Sequence, residues 1–141
     1  MLNTGDTIDR YQVEKVLGEG GMATVFEATH TQTRKRVALK VIKANLASRA
    51  ELQARFIQEA QAASAFEHPN IAVIYEVDEA DGVTFIAMQL IRGDKLSDVL
   101  ARQRLSVARS LEIASEIAAG LVRAHEKLVV HRDLKPSNVM I

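Results

Sequence analysis

Three polar side chains near the end of the sequence have the types and the spacing that phosphoryl transfer to a hydroxyl group requires. They are Asp133, Lys135 and Asn138, within the segment His-Arg-Asp-Leu-Lys-Pro-Ser-Asn of residues 131–138. Asp133 can accept the proton of an attacking hydroxyl, and Lys135 can neutralise charge on the transferring phosphoryl group. Asn138 can ligate a magnesium ion. A solvated run of charge is the alternative, but the ordered match of several residue types disfavours it.

A glycine-rich segment upstream, Gly-Glu-Gly-Gly-Met-Ala-Thr-Val at residues 18–25, lies between two predicted strands. Glycines let backbone N–H groups approach a polyphosphate. A plain hairpin turn explains these glycines equally well when they are taken alone. A strand follows them instead of the helix of a dinucleotide-binding fingerprint, and no Gly-Lys-Ser/Thr follows to make a Walker-type loop. This placement favours a glycine-rich lid over phosphates.

Lys40 lies among apolar residues of the predicted strand 36–42. Burying a lysine is costly unless it meets a negative partner, and the alternative is that Lys40 points to solvent. In the functional interpretation, Lys40 holds the α- and β-phosphates and is braced by a carboxylate from the next helix. Glu59 is the preferred partner because it borders the apolar stripe of that helix. Glu51 is second, since the helix dipole already explains an acidic residue in the first turn.

The elements that must position these groups are short strands in the first ninety residues and helices after them. Alternating polarity and turn residues predict strands at residues 11–17, 22–28, 36–42, 71–77 and 83–90. Asp81 and Gly82 give a strong hairpin signal between the last two. The spacing predicts a helix over 48–66, with Ser48 near its N-cap. Its apolar stripe comprises Leu52, Phe56, Ala60, Ala63 and Phe66.

Helical spacing returns after Arg92 and Gly93, and this change is the best candidate for a boundary between two lobes near residues 91–94. The pattern predicts a short helix over 95–103 and a long one over 106–128, followed by a charged loop and a short apolar strand in 129–141. On the long helix, Ile113 and Ile117 lie beside the apolar stripe. That stripe comprises Val107, Leu111, Ala114, Ala118 and Leu121.

The composition of the 141 residues is that of an ordinary globular protein, with 48% hydrophobic and 26% charged residues. Eighteen basic residues balance eighteen acidic ones, so nothing indicates a nucleic-acid or anionic membrane partner. The absence of cysteine excludes a disulfide framework and a thiolate metal site. No run of residues is long and apolar enough to span a bilayer. The sequence therefore predicts a soluble chain in the cytoplasm.

Taken together, these motifs resemble those of Hanks-type serine/threonine protein kinases over residues 11–141. The Gly-Gly-Met of the glycine loop and the His-Pro-Asn-Ile at residues 68–71 are most similar to the bacterial subgroup. The resemblance implies an α+β fold with a five-stranded antiparallel sheet and the helix named αC in residues 11–91. Residues 92–141 would supply the hinge, the first helices of the second lobe and the catalytic loop. ATP, Mg²⁺ and a protein with a serine or threonine acceptor are the implied ligands.

The resemblance also implies a role for individual residues. Asp133, Lys135, Lys40 and Glu59 would be catalytic, and Asn138 would bind the metal. Met88 resembles the gatekeeper, His131 would support the catalytic loop, and Arg132 would meet a phosphorylated activation loop. The residues implied in nucleotide binding are Leu17, Gly18, Glu19, Gly20, Gly21, Met22, Ala23, Thr24, Val25, Ala38, Lys40, Met88, Gln89, Ile91 and Met140. Among them, Leu17, Val25 and Ala38 would cover the adenine, Met140 would lie beneath it, and the backbone of Gln89 and Ile91 would bond to it.

The sequence departs from the family pattern at four points. Ala23 replaces the third glycine of the loop, and Gln89 stands where glutamate is usual. Leu128 occupies a position at which glycine commonly ends the long helix, so it must adopt a left-handed cap at some cost or end the helix differently. The family's Asp-Phe-Gly, whose aspartate is the principal magnesium ligand, does not occur in residues 1–141.

Two functions are therefore kept at this point. The first is an ATP-dependent serine/threonine kinase whose remaining residues lie in sequence beyond Ile141. The second is a catalytically inactive nucleotide-binding or kinase-interacting fragment. A third possibility is a fragment that barely folds. We expect the 141 residues alone to bind ATP weakly and not to phosphorylate a generic protein substrate.

Overall fold

The computed structural model describes residues 2–43 and 50–141. These residues divide into two compact units. One unit runs up to Ala65 and includes Val73–Leu90, and the other comprises Phe66–Ala72 and Ile91–Ile141. The predicted N-cap residue Ser48 lies outside the described residues.

The first unit is built on an antiparallel sheet in the order β1-β2-β3-β4-β6-β5. Its strands are β1 (Thr7–Ile8), β2 (Tyr11–Glu19), β3 (Ala23–His30), β4 (Arg36–Ile42), β5 (Ile74–Ala80) and β6 (Val83–Gln89). The five predicted strands are confirmed, and β1 is an addition of two residues paired to β2. A two-residue strand is too short to show an alternating pattern, which explains why the sequence did not reveal it.

The hairpin predicted at Asp81 and Gly82 is confirmed by its backbone. Both residues have positive φ, 52° and 73°, as a type I′ turn requires. Ala80 and Val83 pair directly across it. The preceding strand begins at Ile74 rather than at residue 71, and Ile71 instead closes a turn by donating its N–H to the His68 carbonyl at 3.1 Å.

The core of the first unit covers one face of the sheet. Its largest fully buried side chains are Phe85, Leu39, Val13 and Val37, whereas the polar Thr84, next to Phe85 in sequence, is fully buried on the opposite face. Helix α1 (Ala50–Ser64) follows β4 and contacts β5. Its predicted apolar stripe is confirmed in part: Ala60 is buried, and Leu52, Phe56 and Ala63 are half-buried.

The second unit contains helices α2 (Leu96–Arg102) and α3 (Val107–Glu126). The stripe predicted for the long helix is wrong over most of its length, since Val107 and Leu111 are 77% and 65% exposed and Ala114 and Ala118 are exposed as well. Of its five residues, Leu121 alone is half-buried. The helix instead buries Ile113, Gly120 and Ala124. Gly120 allows a close approach by residues 66–72, because a Cβ atom there would lie 3.3 Å from Ile71 Cγ1.

The short apolar strand predicted near the end of the chain does not form as an element. Residues Pro136–Asn138 make one turn of 3-10 helix, and Met140 makes an isolated antiparallel bridge with Lys95. The Asp94 and Ile141 backbones exchange bonds of 3.0 and 2.9 Å. The apolar end therefore pairs with the segment before α2 over too few residues to make a strand.

Candidate functional site

Strand pairing brings several of the predicted nucleotide-binding residues onto one face of the sheet. Val25 lies opposite Lys40, and Ala38 lies opposite Met88. The intervening residues Phe26 and Leu39 belong to the core cluster. Because successive side chains of a strand point to opposite faces, the four predicted residues occupy the face opposite the core cluster. The register thus groups residues from three strands that are far apart in sequence.

The glycine loop has a shorter turn than the sequence suggests. Strand β2 continues through Gly18 and Glu19, which pair with Val25 and Thr24. The turn is closed by a bond of 2.8 Å from the Gly20 N–H to the Ala23 carbonyl. A Cβ added at Gly21 would have no heavy atom within 4 Å. The tip therefore presents bare backbone, as contact with phosphate requires.

Three side chains flank this turn. Ala23, which replaces the family's third glycine, is only 5% exposed and opens strand β3, so its methyl group is accommodated within the sheet. Leu17 and Met22 are exposed.

Lys40 lies close to α1 in the first unit. Its ammonium group is 5.5 Å from the centroid of the Phe56 ring, within the range of a cation–π contact. Phe56 precedes Glu59 by three residues and thus lies on a neighbouring part of the same helical surface. The Lys40–Glu59 ion pair stays a prediction.

A glutamine that sequence reasoning missed fixes α1 against the sheet. The Gln53 side-chain amide donates to Thr84 Oγ1 and to Glu79 Oε2, both at 2.7 Å. Thr84 is fully buried in β6. A buried hydroxyl needs a partner, and a helix residue provides it. The apolar spacing that revealed the helix carries no information about this polar link.

The catalytic loop holds the Asp133 carboxylate between a cation and an amide. Lys135 Nζ lies 3.2 Å from Asp133 Oδ2. The Asn138 amide donates to the Asp133 backbone carbonyl at 2.8 Å and to its Oδ2 at 3.2 Å. His131 Nδ1 accepts the Asp133 N–H at 3.2 Å, a contact consistent with its predicted support of the loop. The three residues singled out by spacing are therefore in mutual contact.

The same contacts set the charge of the carboxylate. The hydrogen bond from Lys135 is the main cause that lowers the pKa of Asp133, and the Asn138 bond acts in the same direction. The side chain is 66% exposed, so the carboxylate is accessible from solvent. Arg132, the preceding residue, has a positive φ of 65°. That left-handed conformation is uncommon for a residue other than glycine.

The remaining predicted contacts lie where the chain passes into the second unit. Gln89 is the last residue of β6. Ile91 and Met140 belong to the second unit and are 37% and 38% exposed. In the described residues, no helix is both long and apolar enough to cross a membrane.

Comparison with known proteins decides the family. A model described as the protein kinase domain matches residues 11–141. The chain belongs to the protein kinase family. It is similar to bacterial serine/threonine kinases, as the glycine loop and the His-Pro-Asn-Ile segment predicted.

Three bacterial serine/threonine kinases illustrate this similarity. The chain is 36% identical to PknJ of Mycobacterium tuberculosis over 99% of its own length, and 42% identical to pkn3 of Myxococcus xanthus over 94%. It is 38% identical to PrkC of Bacillus subtilis, again over 94%. The chain spans only 24%, 24% and 20% of those three kinases, respectively.

A solved kinase domain confirms the fold. The crystal structure of the Mycobacterium tuberculosis PknI kinase domain matches with a TM-score of 0.86 and 31% sequence identity. The match covers 99% of this chain and 58% of the PknI chain. The kinase-like α+β fold predicted from the motifs is therefore confirmed for these residues.

Proposed function

We propose that this chain supplies the ATP-binding face and the catalytic loop of an ATP-dependent kinase that phosphorylates serine or threonine in proteins. The observation that carries the proposal is the Asp133 carboxylate held between Lys135 and Asn138. These three side chains provide a base, a cation and an amide within one short loop. Such an arrangement suits a reaction in which positioning and electrostatics supply most of the catalysis.

Asp133 would orient the acceptor hydroxyl and take its proton. An aspartate is ionised near neutral pH, and the lowered pKa of Asp133 extends its ionised range to more acidic pH, so the group can accept a hydrogen bond from serine or threonine. Lys135 would stabilise negative charge on the phosphoryl group as it moves. The 3.2 Å contact between Lys135 and Asp133 supports this role, because a hydroxyl bonded to Asp133 would have the cation beside it.

The sheet face described above would hold ATP. Ala38 is 7% exposed and lies opposite Met88, which gives a small apolar surface suited to a flat purine. Lys40, two residues along the same strand face, would pair with phosphate oxygens. The bare backbone at the tip of the glycine loop would contact the phosphates. The apolar surface at Ala38 and Met88 would therefore suit the adenine, and the cation of Lys40 would suit the phosphates.

The donor set of the loop fits a magnesium ion. Asn138 uses its amide N–H₂ on Asp133, which leaves its carbonyl oxygen as a ligand. Mg²⁺ prefers such oxygen donors and commonly combines a few of them with substrate phosphates. Asn138 would therefore hold the ion, which when bound neutralises charge on the phosphates.

The test measures nucleotide binding and phosphoryl transfer separately. Thermal shift with ATP and magnesium on the 141-residue chain reports binding, and labelled phosphate from ATP reports transfer to a serine/threonine substrate by the full-length gene product. We expect Asp133→Asn to abolish transfer while binding persists. Binding without any transfer by the unmodified protein would favour the nucleotide-binding alternative. If ATP produced no shift and no transfer, the proposal would be wrong.

A further inference from the structure

The end of strand β6 departs from regular pairing at Gln89. The β5–β6 register places Ile74 opposite Met88, so Val73 and Gln89 form the next pair outward. The Gln89 N–H donates to the Val73 carbonyl at 2.7 Å. In an antiparallel ladder, two residues that share one such bond exchange a second. The regular partner of the Val73 N–H would therefore be the Gln89 backbone carbonyl.

The side chain of Gln89 takes that second bond instead. The Val73 N–H donates to Gln89 Oε1 at 3.2 Å. The Gln89 backbone carbonyl therefore loses its ladder donor at the residue where β6 ends. A backbone carbonyl that lacks its ladder donor can accept a hydrogen bond from an N–H group of a ligand.

We infer that the Gln89 side chain is a positioning residue that sets nucleotide specificity by freeing its own backbone carbonyl for the 6-amino group of adenine. This inference rests on the proposed function, because it assumes that adenine binds beside Gln89. A 6-amino purine offers an N–H donor to the carbonyl. A 6-oxo purine offers a second acceptor and leaves the carbonyl unpaired, which is unfavourable in a binding site.

The inference gives a reason for the amide at this position. An acceptor is required to satisfy Val73, and glutamate or glutamine can supply it at the same reach. Methionine has a similar length but only a weakly accepting sulfur. In a Gln89→Met protein, the backbone carbonyl at position 89 would turn back to pair with Val73 and become unavailable to adenine.

The experiment compares ATP with purine riboside triphosphate, which lacks the 6-amino group. Binding of both to the 141-residue chain is measured for the unmodified protein, Gln89→Met and Gln89→Glu. We expect Gln89→Met to weaken ATP binding about 3- to 10-fold and to leave the analogue unchanged. Gln89→Glu should retain ATP affinity. Gln12→Met, at an exposed glutamine of β2, serves as the matched control.

Amide hydrogen exchange at Val73 tests the geometry without nucleotide. Val73 should be protected in the unmodified protein and in Gln89→Glu, and should show faster exchange or an altered chemical shift in Gln89→Met. If Gln89→Met weakened the binding of both nucleotides equally, or of neither, the inference would be overturned while the proposed function stands. If the unmodified chain bound neither nucleotide, the proposed function and the inference would both fail.

Discussion

Asn138 donates its side-chain amide to Asp133 twice, to the backbone carbonyl at 2.8 Å and to the carboxylate at 3.2 Å. The two bonds fix the carboxylate relative to its own backbone, although the side chain is largely exposed. A short polar loop can thus hold a reactive group in place without burying it.

Removing these two hydrogen bonds should free the Asp133 carboxylate from its fixed position in the loop. We expect Asn138→Ala in the full-length gene product to lower the rate of phosphoryl transfer at least 100-fold, because both the orientation of Asp133 and the proposed magnesium ligand are lost. Steady-state kinetics at varied magnesium concentration measure the effect. Ser137→Ala, at the adjacent residue, is the matched control and should retain most of the activity. Full activity of Asn138→Ala would show that the amide has no role in the reaction.

Lys135 should control the protonation of Asp133. The hydrogen bond from Lys135 is the main cause of the lowered pKa of Asp133, so Lys135→Met should raise that pKa toward the ordinary value of about 3.9. Carboxyl carbon chemical shifts followed between pH 2 and pH 6 measure it. Lys127→Met, at an exposed lysine near the end of α3, should leave the titration of Asp133 unchanged.

The lowered pKa of Asp133 also determines how this group changes folding stability with pH. A carboxyl whose pKa is lower in the folded state contributes stability that is present above its unfolded pKa, about 3.9. That contribution is lost as the pH falls through the lower folded value. The acid limb of the stability curve should therefore be less steep in Lys135→Met. An unchanged pKa for Asp133 would contradict the assigned cause.

Leu128 adopts an unfavourable left-handed backbone conformation at the end of α3. Its φ is 60°, and its side chain is 93% exposed. The Leu128 N–H bonds to the His125 carbonyl and the Val129 N–H to the Ala124 carbonyl, which is the Schellman pattern. Of the two alternatives left open for this position, the left-handed cap is therefore the one that forms.

Glycine should relieve that cost. We expect Leu128→Gly to raise the free energy of unfolding by about 1 kcal/mol, since glycine adopts positive φ without a Cβ clash. Urea denaturation measures the change. Leu128→Ala retains the Cβ atom and should gain little, which separates the backbone effect from removal of an exposed leucine. Equal gains in both variants would refute the explanation.

Gly93 allows two backbone segments of the second unit to meet. A Cβ added there would lie 2.2 Å from the Ile141 carbonyl oxygen. We expect Gly93→Ala to destabilise the protein by about 2 kcal/mol, because the pairing of Asp94 with Ile141 must shift. Thermal unfolding measures the loss. Gly21→Ala, where a Cβ would meet nothing within 4 Å, should change stability little. If Gly93→Ala left the stability unchanged, the backbone at Ile141 would be able to shift at little energetic cost.

Patterns that depend on local chemistry predicted the fold well. Strand β4 has the predicted bounds, because a seven-residue, mostly apolar run rich in β-branched residues and preceded by a polar turn is typical of a strand. The Asp81-Gly82 turn was predictable since few residues tolerate positive φ twice in succession. Gly18 was mistaken for a strand breaker, although it pairs with Val25, because a glycine in sequence does not show whether its backbone is paired.

Contacts that depend on the pairing register of the strands could not be predicted from the sequence. The Asp133, Lys135 and Asn138 cluster was predictable because the three residues lie in one short loop. The bond from Val73 to Gln89 Oε1 was not, since it requires the exact pairing of β5 with β6. The link from Gln53 to Thr84 likewise joins a helix to a strand whose relative position no local pattern specifies.

The order of strands has a consequence for how the first unit folds. Every neighbouring pair in the sheet is also consecutive in sequence except β4 and β6, so that pair closes the longest loop. Loop closure of this kind is slow relative to hairpin formation. Ala38 meets Met88 at this same junction. The face proposed for ATP should therefore be assembled last, after the hairpins on either side have formed, and pulse-labelled amides of β4 and β6 should become protected together.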